Sequence, residues 1–76
     1  MKMLSENQMK LLTEIRAQCT RRGWFFVNAT RLEDLNDILT LERKQLIEVE
    51  ERDVRIDHVN ARVKSGEFIG KLSSLQ

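Results

Sequence analysis

The residue types that most often carry out chemistry are scarce in this chain: His58 is the one histidine and Cys19 the one cysteine among 76 residues. A lone imidazole offers a metal ion no second ligand of its kind, and Cys19 lies far along the chain from it. No glycine-rich phosphate loop, paired-cysteine metal signature or serine elbow is present either. The expectation is therefore a protein without catalysis, metal or cofactor. Cys19 is read as a small buried apolar residue and His58 as a bend or surface residue. What remains is charge. Thirteen Lys and Arg against twelve Asp and Glu leave a formal net charge of +1, so any basic surface that could meet phosphates must be local.

The elements that would position such charges fit one domain over residues 1–76, near the lower size at which burial alone offsets chain entropy. A single cysteine rules out an internal disulfide framework and suggests a reducing compartment. The start, Met1 to Gln8, lacks the apolar run of a signal peptide, and no stretch has the roughly 18 apolar residues that span a bilayer. A cytoplasmic location without membrane contact is expected.

Ser5 and Gln8 have capping-box spacing, and Leu11, Leu12, Ile15 and Cys19 recur at helical intervals after them, so a first helix is expected over 5–22, with Gly23 as its stop. Trp24-Phe25-Phe26-Val27 holds three of the four aromatics and is too short for a helix; it predicts a buried strand over 24–27. Base stacking by these rings is disfavoured because no basic residues interleave them. Thr30 and Glu33 repeat the capping-box spacing before Leu32, Leu35, Ile38 and Leu39, predicting a second helix over 31–39. Leu46 and Val49 then mark one face of a third, amphipathic helix over 41–51.

Residues 53–63 admit two readings, a helix with Ile56, Val59 and Val63 inward or a strand with Val59, Ala61 and Val63 inward. The β-branched content, the turn-like Lys64-Ser65-Gly66-Glu67 and the return Phe68-Ile69 favour a hairpin over 54–72, with a bulge or bend near Asp57-His58. The tail from Ser73 to Gln76 is expected to fray.

The segment from Leu32 to Val49 resembles the helix-turn-helix unit of DNA-binding proteins. Leu35, Leu39, Leu41, Leu46 and Val49 occupy the places of the aliphatic residues that lock the two helices of that unit, with Thr40 at the turn. Thr40 and Asn36 stand where the family usually has Gly and Ala, so Thr40 is expected to cap the third helix in a turn of different geometry. Over about residues 5–72, the order of helix, short strand, two close helices and hairpin is similar to the winged helix-turn-helix fold. That resemblance implies a mainly α (α+β) domain of three helices with a C-terminal β-hairpin wing, the short strand pairing with the wing. An all-α four-helix form of the motif is the alternative.

The resemblance further implies that helix 41–51 enters the major groove of double-stranded DNA. Arg43 and Lys44 would then meet guanine edges or phosphates, Gln45 adenine or phosphate, and Ile47 a thymine methyl, with Glu48 also outward. Arg55, Arg62 and Lys64 on the wing would add phosphate contacts. Glu48, Glu50 and Glu51 carry the wrong sign for that surface. With only about three or four phosphate contacts, affinity would be low and a homodimer useful. The expected function is a small DNA-binding regulator, excisionase-like or transcriptional, of a mobile element. Near-zero net charge supports the other reading, a winged-helix module that inhibits or recruits a protein partner.

Overall fold

A computed structural model describes residues 4–73; of the tail expected to fray, Ser74 to Gln76 lie outside the described residues, as do Met1 to Met3, whereas Ser73 is buried and its N–H donates to the Leu46 carbonyl at 3.2 Å. The chain forms α1 (Glu6–Arg22), β1 (Phe25–Ala29), α2 (Leu32–Arg43), β2 (Ile47–Asp57) and β3 (Arg62–Leu72). The strands make one antiparallel sheet in the order β1-β3-β2.

α1 begins as its capping box dictates: the Gln8 amide donates to Ser5 Oγ at 3.2 Å, and Ser5 N–H donates to Gln8 Oε1 at 3.1 Å. It ends on Gly23, whose φ of 83° lies in the left-handed region and whose N–H reaches the Cys19 carbonyl at 2.7 Å. Between these caps the helix buries Leu12 and Ile15.

α2 departs from expectation at both ends. Its N-cap is Arg31, with no side-chain cap, so the Thr30–Glu33 box is not used; Arg31 instead holds Asp34 of the first turn at 3.1 Å. At the other end the helix runs straight through Thr40, whose hydroxyl donates to the Asn36 carbonyl at 2.8 Å as a mid-helix threonine does. It stops at Lys44, and Gln45, with φ 63°, turns the chain into a strand.

The expected third helix over 41–51 is therefore absent, and the described residues form an α+β fold with two helices and a three-stranded antiparallel sheet, neither a three-helix winged domain nor a four-helix form. The reason lies in the side chains. Ile47, Val49, Val54 and Ile56 are β-branched and fall on one face of β2 once Glu50 is taken out of the alternation by a bulge between Val49 and Glu51. Leu46 and Val49 also satisfy a helical interval, but a helix would have turned Ile47 outward, and Ile47 is only 1% exposed.

The hairpin exists, though it starts at Ile47 and turns at 58–61 rather than at 64–67. Asp57 accepts the amides of Val59 and Asn60 at 3.1 and 3.2 Å, and Ala61 at φ 51° completes the turn. Lys64 to Glu67 lie within β3, where a second irregularity faces the Arg55/Ile56 step. As the resemblance implied, the strand after α1 pairs with this hairpin, Phe25 opposite Gly70 through Ala29 opposite Gly66.

Both helices pack on one face of the sheet. The core contains Leu12 and Ile15 of α1, Leu35, Ile38 and Leu41 of α2, and Phe25, Ala29, Ile47, Val63 and Phe68 of the strands. Leu39, Leu46 and Val49 pack against it, so the aliphatic set read as a helix-turn-helix clamp does reach the interior, but from one helix, a turn and a strand. Arg52, on the same sheet face, ties β2 to α2 by placing its Nη2 2.6 Å from Glu42 Oε2.

Candidate protein-binding surface

Alternation along the strands separates the sheet into two chemically distinct faces. Residues in step with Phe25, Phe68 and Gly70 face the helices; those between them face away. On the far side, cross-strand register assembles Phe26 beside Ile69 and Ile69 beside Glu51, then Asn28 beside Glu67 and Glu67 beside Asp53. Lys71 lies opposite Glu48, and Ser65 opposite Arg55. Phe26 is 38% exposed, a large apolar ring that the core does not cover. Trp24, two residues before it, is 42% exposed and carries the Arg22 guanidinium 3.7 Å from its ring centroid.

The open face is acidic around this apolar strip. Glu48, Glu51, Asp53, Asp57 and Glu67 outnumber Arg55, Arg62 and Lys71, and each base already has an acidic neighbour: Arg55 Nε is 3.6 Å from Asp53, Arg62 Nε 3.9 Å from Asp57, and Lys71 Nζ 3.9 Å from Glu50. Such a surface repels phosphates and attracts cations.

The residues expected to touch DNA are split between two places. Arg43 is in the last turn of α2, donating to Thr40 Oγ1 at 3.2 Å; Lys44 caps that helix half-buried, and Gln45 sits exposed in the turn. Ile47 is sealed in the core and Glu48 is on the outer face of β2, so neither extends a basic surface with Arg43. Arg55, Arg62 and Lys64 are exposed on the hairpin, where Arg62 Nε stands 3.9 Å from Asp57. Among the described residues no helix presents this set to a groove.

Sequence reasoning did not bring Phe26, Ile69, Glu51, Asp53 and Glu67 together on one face. A signal existed: Glu67, Ile69 and Lys71 alternate with Phe68 and Gly70, the pattern of a strand with two unlike faces.

Cys19 is half-buried against the core, and His58 is exposed in the hairpin turn. Among the described residues no cluster of His, Cys, Asp and Glu is arranged to hold a metal ion, and no helix is long and apolar enough to cross a membrane. The chain matches no model of a known protein family, no curated protein and no solved structure.

Proposed function

We propose that this protein is a binding module that engages a basic segment of a protein partner on the open face of its sheet. The observation that supports this reading is the placement of Phe26 and Ile69, an apolar strip, amid Glu48, Glu51, Asp53 and Glu67. An apolar anchor gives area to desolvate, and surrounding acids select positively charged partners and speed their approach. Groove reading by helix 41–51 is withdrawn, because those residues form the end of α2, a turn and the start of β2.

The test compares two titrations and one capture. Labelled random duplex at low salt should not bind at tens of micromolar, a range in which nonspecific DNA binders respond. The immobilised protein should retain a discrete protein from nuclease-treated extract of the cells that make it, and lose it on Phe26→Ser with Ile69→Ser. Retention of the same protein by the double variant, or tight duplex binding by wild type, would overturn the reading.

A further inference from the structure

The sheet has two edges, and the chain treats them differently. On β1 the Gln18 side chain stands in for a neighbouring strand: its Oε1 accepts the Phe26 amide at 2.9 Å and its Nε2 donates to the Phe26 carbonyl at 3.1 Å. That edge is blunted. β2 forms the opposite edge, and no strand lies beside it among the described residues. The hairpin also outruns the sheet, since β1 pairs with β3 only as far as Gly66, opposite Val54, and the two strands continue alone to the 58–61 turn. A ribbon of two strands is marginal in water. This one also leaves Val54 and Ile56, 37% and 44% exposed, on the helix-side face.

We infer that β2 pairs antiparallel with β2 of a second copy of this chain, about a twofold axis at Val54. Between the bulge at Glu50 and the turn after Asp57, β2 itself carries no inserted residue, since the register shift at Arg55/Ile56 comes from the extra Lys64 of β3, and Val54 is the midpoint of 51–57. With that centre, Val54 meets its own counterpart and Ile56 lies opposite the partner's Arg52, whose aliphatic stem covers it. On the other face Asp53 comes opposite the partner's Arg55, and Arg55 opposite the partner's Asp53. Within one copy these two groups are already 3.6 Å apart on side chains 57% and 70% exposed, so pairing builds a four-charge cluster across the axis. Glu51 meets the partner's Asp57 with like charge; Arg62, 3.9 Å from Asp57, offsets this. The product is one continuous six-stranded sheet, each copy supplying the three strands of its own sheet. This contact shares Glu51 and Asp53 with the face proposed for the basic partner but not the Phe26–Ile69 strip, so sedimentation of the Asp53 and Arg55 variants tests the pairing and Phe26→Ser with Ile69→Ser tests the partner face.

Sedimentation equilibrium of the full chain from about 1 μM to about 1 mM, the range of weak to moderate affinities, tests the pairing. Wild type should approach twice its 9.0 kDa mass. Asp53→Arg alone and Arg55→Asp alone should each be folded by circular dichroism and monomeric, because each places like charges across the axis. An equimolar mixture of the two should dimerise, since both pairs between positions 53 and 55 across the axis are then opposite in sign. Register is checked independently by Val54→Cys in a Cys19→Ser background. Directly opposite Cα atoms in an antiparallel pair are roughly 4.5–5.5 Å apart, within disulfide range, so this variant should oxidise to a covalent dimer. A monomeric wild type, a mixture that stays monomeric, or a variant that does not cross-link would overturn the proposal.

Discussion

Gly70 of β3 lies so close to the backbone of Glu48 that a β-carbon placed on it would stand 2.1 Å from the Glu48 carbonyl oxygen. The same atom would sit 3.0 Å from the Phe25 ring. Neither neighbour can yield, because one is backbone beside the Glu50 bulge and the other is wholly buried. Gly70→Ala should therefore cost at the upper end of the ~1–3 kcal/mol of an overpacked core, or more, read as a lower urea midpoint. A midpoint equal to wild type would place β2 elsewhere.

Ile47 distinguishes strand from helix. A residue facing a DNA groove would tolerate truncation, whereas a side chain 1% exposed in the core should not. Ile47→Ala should lose about 2–5 kcal/mol in chemical denaturation. Arg43→Ala, at an exposed helix end, should stay within about 0.5 kcal/mol.

The features legible in the sequence are those set by local rules. Ser5 with Gln8 and Gly23 delimit α1, because capping is decided within a few residues of chain. Phe25 and Phe26 announce a strand whose pairing with the hairpin follows the expected order, but it runs over Phe25–Ala29 rather than 24–27 and leaves Trp24 and Phe26 exposed rather than buried. The span 41–51 was not legible for a physical reason: Glu42, Arg43, Lys44, Gln45 and Glu48 have good helix propensity, while the alternation of Ile47, Val49, Val54 and Ile56 is broken by one bulge. Pairing with β3 decides between them, and that contact is distant in sequence. The acidic face was hidden for the same reason, since Glu51, Ile69 and Phe26 become neighbours only through the register of three strands.

Gln18 carries a separate prediction. Gln18→Ala removes both hydrogen bonds to Phe26 and opens the β1 edge. The loss should be about 1 kcal/mol in the denaturation midpoint, with faster growth of light scattering on warming. Unchanged scattering and stability would mean that the amide does not guard the edge.

Acid should weaken the fold through two carboxylates. The Arg31 guanidinium, with help from Asn7, holds Asp34 below the ordinary 3.8, and the Asn60 side chain with the Asn60 and Val59 amides does the same for Asp57. Both groups have folded values below their unfolded ones, so their stabilisation is present above the ordinary value and is lost as pH falls through the folded values. Urea midpoints should decline from about pH 4 downward, and Asp34→Asn should flatten part of that limb. A midpoint constant to pH 2 or so would contradict the Arg31 and Asn60 contacts.

The most direct measurement places a photo-cross-linking phenylalanine analogue at Phe26 in one protein and at Arg43 in another, and irradiates each in extract from the producing cells. A discrete protein adduct from position 26 that weakens at high salt, with none from position 43, is the expected result. Adducts to nucleic acid or protein from position 43, with position 26 silent, would contradict it.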